Sequence, residues 1–180
     1  MIRVALRLIA TAAILLPASL MAMQAAAPAG SAATSLRNAQ GQVVGDAVAR
    51  REGAAVRIRL TVRGFTPGTH GVHLHQTGRC DAPDFASAGP HLNPGGRQHG
   101  LLNPQGPHLG DLPNLEVREN GTGRVDVDMP VPAGTAADAN PLLDADGTAI
   151  VIHAAADDER TDPAGNSGAR IACGLFPPAR

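Results

Sequence analysis

The chain has 180 residues, enough for one domain with a little to spare, and 43% of them are hydrophobic, so it can bury a core. That core must be aliphatic, because there is no Trp or Tyr and only three Phe: Phe65, Phe85 and Phe176. All fifteen basic residues are Arg, and a net charge of −1 with mixed signs along the chain excludes a nucleic-acid footprint.

Arg3 and Arg7 precede an apolar run from Leu8 to Leu20, and small residues follow in MAMQAAAPAG. That layout predicts a secretory signal peptide over residues 1–25, cut between about Ala22 and Ala27. The run is too short to span a bilayer comfortably, so no stable membrane anchor is expected after cleavage. Residues 26–34 are small and read as a flexible lead-in, and 35–180 as the domain. An exported protein with two cysteines, Cys80 and Cys173, is expected to pair them. In the chain-entropy model so long a loop is worth about 4–5 kcal/mol.

Strand signals then recur. Gln42–Arg50 follows a turn at Gln40-Gly41. Val56, Ile58, Leu60 and Val62 alternate with Arg57, Arg59, Thr61 and Arg63, the period of two of a half-buried strand. Val72–His75, Leu115–Arg118, Arg124–Met129, Thr148–His153 and Arg170–Phe176 read as further strands. Turn residues separate them, and no convincing helix follows the leader. The pattern predicts an all-β sandwich or barrel.

Six of the seven histidines fall between His70 and His108. In His73-Leu74-His75 both imidazoles face one side of a strand, which is half a metal site on a stiff support. His91, His99, His108 and Asp111 lie in a Gly- and Pro-rich stretch, Gly89–Asn114, with no periodicity. A loop that long is uncommon unless it is functional, and a bound ion supplies the free energy to order it. Three imidazoles and one carboxylate suit tetrahedral zinc, and an all-imidazole set suits copper. His73, His75, His91, His99, His108, His153 and Asp111 are too many for one tetrahedral ion. They suffice for two if one imidazole bridges. Spacing alone does not identify the reaction.

The segments GTHGVHLHQTGRC, SAGPHLNP, RQHG, GPHLGDLPN, AIVIH followed by ADD, and GNSGARIACG resemble the copper/zinc superoxide dismutases, especially their exported bacterial branch. The likeness runs from about Ser35 to the C-terminus. It implies a Greek-key β-barrel of about eight antiparallel strands with long metal-binding and electrostatic loops. It implies one copper held by His73, His75, His91 and His153, and one zinc held by His91, His99, His108 and Asp111. It also implies a Cys80–Cys173 disulfide, Asp157 as a carboxylate linking ligands of the two metals, Arg170 beside the copper, and His70 packed behind the copper strand. The implied activity is dismutation of superoxide to dioxygen and hydrogen peroxide in the periplasm, with His91 taking up a proton. The alternative is a periplasmic module that binds copper and zinc without turnover. A purely structural extracellular β-domain does not account for the convergent ligands. Gln76 stands where the family commonly has an acid. With no Lys, Arg160 and Arg170 are left to attract superoxide nearly alone. The missing Tyr and Trp remove the aromatic anchors that often hold bacterial dimers of the family, which leaves a homodimer open.

Overall fold

The computed structural model describes residues 30–134 and 140–178. Eight strands form one closed antiparallel barrel: β1 (Ser31–Asn38), β2 (Val43–Glu52), β3 (Ala55–Val62), β4 (Gly68–His75), β5 (Asp111–Val117), β6 (Gly123–Pro130), β7 (Thr148–His153) and β8 (Arg170–Phe176). Around the barrel they run β1-β2-β3-β6-β5-β4-β7-β8, and β1 closes onto β8 through Arg37↔Cys173 and Asn38↔Ala172. The step from β3 to β6 is the Greek-key crossing.

The period of two explains the wall. On β3, Val56, Ile58 and Leu60 are fully buried and face the barrel interior with Leu36, Leu74, Leu115, Ile150, Ile152 and Phe176. The alternate residues Arg57 and Arg59 face outward, toward Asp126 on β6 at 2.7 and 3.3 Å. β7 departs from alternation because both its faces are covered. Ile150 and Ile152 fill the barrel, while Ala149 and Val151 pack outside it with Phe85, Ala88 and Cys173.

Several boundaries differ from the sequence expectation: β4 begins at Gly68 rather than Val72 and β2 runs on to Glu52. The lead-in expected to reach residue 34 is already strand from Ser31, paired from Ser31↔Arg50 onward. Small residues give little apolar signal, but a ladder is made by backbone groups and needs none. The long loop expected to end at Asn114 ends at Gly110, because Asp111 pairs with His73 in β5. A single turn of 3-10 helix, Ala86–Ala88, precedes that loop in the connection after β4. The expected leader, residues 1–25, lies outside the described residues.

Two of the long connections between strands concern the site. The metal loop, 76–110, joins β4 to β5. The closing loop, 154–169, joins β7 to β8. Both fold back over the outer face of β4 and β7, so that face carries the site.

Candidate metal centre

Strand register does much of the positioning. β4 lies between β5 and β7, with His73 opposite Asp111 on one side and opposite Val151 on the other. An isolated bridge sets His75 opposite His91, and His153 at the end of β7 is opposite Arg170 on β8. Val72 and Leu74 point into the barrel; His73 and His75 point out, yet both are fully buried beneath the loops. The metal loop is pinned along β4 by Leu74 N–H to Gly110 O (2.8 Å), Leu92 N–H to Leu74 O (2.8 Å) and Gln76 N–H to Pro90 O (3.0 Å). Gly110 has to be glycine, because a Cβ there would overlap the Leu74 carbonyl oxygen.

The side chains sort into two groups around His91. Nitrogens of His73, His75, His91 and His153 lie within 4.8 Å of one another. Three buried nitrogens in this group have no hydrogen-bond partner: His73 Nδ1, His75 Nε2 and His153 Nε2. The opposite nitrogen of each ring is engaged. His73 Nε2 lies 2.7 Å from Asp157 Oδ2, His75 Nδ1 2.8 Å from Gly89 O, and His153 Nδ1 3.1 Å from Gly168 O. Such engagement fixes each ring and leaves one lone pair for a metal. Burial pushes the His75 imidazole down to about 2, with its Gly89 bond opposing. Burial likewise lowers His91 to about 4 and His153 to about 3. These three rings are therefore neutral at ordinary pH, the form that binds metal.

The second group gathers on Asp111. Its Oδ1 lies 3.0 Å from His91 Nδ1, 3.0 Å from His99 Nδ1 and 3.2 Å from His108 Nδ1, while His91 Nδ1 and His108 Nδ1 are 3.3 Å apart. Asp111 Oδ2 accepts the N–H groups of Gly100 (2.8 Å) and His108 (2.9 Å). Burial opposes its ionisation, but the bonds from His91, His99 and Gly100 hold its carboxyl well below the usual carboxylate range. Three imidazole nitrogens around one anionic oxygen could hold zinc. A second tight grouping, His73, His91, His99 and Asp111, overlaps both sets because His73 packs against His91 with ring centroids 4.0 Å apart.

Asp157 joins the halves. Its Oδ2 meets His73 and its Oδ1 lies 3.0 Å from His99 Nε2. Burial works against its charge, and the His73 and His99 bonds outweigh that and lower it. Burial also works against a charge on His99, yet Asp111 and Asp157 together raise that ring to about 9. Arg170 donates to Phe85 O (2.8 Å) and Gly89 O (2.7 Å), so one carbonyl anchors both His75 and this guanidinium. The charge of Arg170 adds to the lowering at His75 and His153. His70 sits behind the strand, 5% exposed, with Nδ1 2.8 Å from His153 O and Nε2 3.0 Å from Thr66 O. Cys80 and Cys173 form a disulfide that ties the metal loop to β8.

Three residues were not singled out by the sequence. Asn114 clasps the backbone of Asp157, donating to its carbonyl and accepting its N–H, both at 2.9 Å. Arg97 lines a pocket of about 330 Å³ with His91 and His108. Asp162 accepts the N–H of His99 at 2.7 Å. An Asn on a strand and charges in polar loops carry no signal that separates them from solvated ones.

The family model described as copper/zinc superoxide dismutase (SODC) matches residues 39–176. A superoxide dismutase [Cu-Zn] of Aquifex aeolicus is 44% identical over 142 residues, covering 78% of this chain and 83% of that protein. One from Caulobacter vibrioides is 40% identical over 148 residues, covering 81% and 85%. The crystal structure of a SOD-like protein from Bacillus subtilis superposes with a TM-score of 0.73 at 40% identity, over 80% of this chain and 97% of that one. The family uses copper and zinc. Lone pairs on His73, His75 and His153 left without partners, and imidazoles crowded on one carboxylate, are what such a pair of ions requires, and with the match over most of its length the chain belongs to the copper/zinc superoxide dismutase family.

Proposed function

We propose that this chain is an exported enzyme that converts superoxide to dioxygen and hydrogen peroxide, with His91 shared between one copper and one zinc. The observation that carries the reading is the trio of buried, unpartnered nitrogens, His73 Nδ1, His75 Nε2 and His153 Nε2, gathered with His91. With His91 Nε2 they make an all-nitrogen set suited to copper. Nδ1 of His91, His99 and His108 with Asp111 make the set suited to zinc. Residues 1–25 act as the signal peptide and the barrel from Ser31 onward as the catalytic domain, working in the periplasm.

When bound, copper would supply a one-electron redox couple and zinc a fixed positive charge. The protein does the rest. Arg170, braced by Phe85 O and Gly89 O, presents a cation beside His75 and His153 and draws the small anion in. Asp157 holds His73 and His99 in fixed orientations across the two halves. His91 has Nδ1 committed on the Asp111 side, so Nε2 is its atom for carrying a proton to the product. Burial keeps bulk water from the ligand nitrogens.

The test is elemental analysis of the purified protein together with a superoxide assay. One copper and one zinc per chain with turnover supports the reading. Both metals without turnover would establish the rival, a metal-binding module, and end the catalytic claim.

A further inference from the structure

We infer that Asp162 is a positioning residue for the zinc half of the centre, acting on His108 as Asp157 acts on His99. The inference rests on zinc being held by His91, His99, His108 and Asp111. Each of those rings points Nδ1 at Asp111 Oδ1, so the far nitrogen, Nε2, decides how firmly the ring is set. For His91 it faces the other half of the centre. For His99 it meets Asp157 Oδ1 at 3.0 Å. For His108 the nearest carboxylate is Asp162, with Oδ1 3.8 Å from Nε2.

That distance is too long for a direct hydrogen bond but within reach of electrostatic attraction, or of one bridging water. A negative charge there favours the tautomer with the proton on Nε2 and the lone pair on Nδ1, and makes that lone pair more basic. The same oxygen accepts the His99 N–H at 2.7 Å. One carboxylate oxygen therefore addresses two consecutive histidines of the metal loop from the closing loop. Asp162 is the single acid among the residues lining the polar pocket that borders His91 and His108; Arg97 is its cation. The Asp162 side chain is half exposed, so its electrostatic effect is screened and belongs at the lower end of what such support contributes.

The closing loop offers His99 and its neighbours further ties: Leu102 N–H to Glu159 O (3.0 Å) and Asn103 Nδ2 to Arg160 O (3.2 Å). Neither bond uses the Asp162 side chain, so both persist without its charge. Replacing the carboxylate by an amide therefore separates charge from anchoring, because an Asn oxygen can still accept the His99 N–H.

The experiment is Asp162→Asn, with zinc affinity measured by competition against a chromophoric chelator. The visible spectrum of cobalt substituted for zinc gives a second readout. The expected result is a zinc affinity about 3–10-fold weaker, a shifted cobalt band, and unchanged copper affinity and metal-free melting temperature. Asp162→Glu should recover part of the loss. Unchanged zinc affinity and cobalt spectrum overturn the inference, and so does an equal loss of both metals with a lowered metal-free melting temperature, which marks a purely structural role. His108→Ala is the control for the underlying reading. If it binds zinc as the unmutated chain does, the zinc assignment itself fails; if it loses zinc while Asp162→Asn does not, only this inference fails.

Discussion

The two halves of the centre are built differently. The half proposed for copper rests on strands: His73 and His75 on β4 and His153 on β7, held in register by ladders on both sides. The zinc half rests on a loop: His99 and His108 lie in 76–110, and only Asp111 stands on a strand. Strand-borne rings hang from backbone positions that the barrel ladders fix, and each is then oriented by one loop group, Asp157, Gly89 O or Gly168 O. Loop-borne rings are oriented by carboxylates, Asp111 and Asp157, and by pins such as Gly110 and Asn114. The first half should exist before its ion arrives, and the second should depend on its ion and on its acids.

The largest effect expected is on the strand half. His153→Ala should lose copper and lower activity by more than about 100-fold, beyond the range for a residue that merely supports a ligand, while zinc is retained; copper content and a superoxide assay check this. Retained copper with full activity would erase the distinction between the halves. Next, replacing both Cys80 and Cys173 by Ser should cost about 2–5 kcal/mol in a denaturant titration, because the bridge closes a separation of 93 residues. The same variant should show faster amide exchange in the metal loop than in β4.

Gly165→Ala attacks the loop half. Gly165 has φ 60°, and a Cβ there would overlap Asp157 Oδ1 and press on His99 Nε2. Zinc affinity should fall by about tenfold or more, with a destabilisation of about 1–3 kcal/mol and copper affinity changed less. Equal losses of both ions would show that Asp157 couples the halves too tightly for the comparison to hold. The smallest effect is expected at Arg170→Ala, which should keep both metals, lose about tenfold in kcat/KM and show a weaker dependence on salt. Unchanged kinetics would remove its role in attracting the anion.

What the sequence made legible follows the same division. β3, β7 and β8 were readable because their apolar residues repeat with the pleat or fill both faces, and His73-Leu74-His75 placed two rings on one side by geometry alone. β1 was missed because Ser31, Ala32 and Ala33 carry no apolar rhythm; only the partner strand makes the segment a strand. The loop ligands were legible as a crowd of His in Gly- and Pro-rich sequence, but His91 as the shared imidazole came only from the family resemblance, since spacing does not show the three-dimensional approach between His75 and His91. Asp162 and Arg97 stayed invisible because a charged residue in a polar loop looks the same whether it faces water or a ligand.

The central claim is that one imidazole serves both halves. Copper and zinc content of His91→Ala, measured beside the unmutated chain under equal metal supply, tests it most directly. Loss of affinity for both ions is the result the account predicts. Full retention of either ion would contradict it.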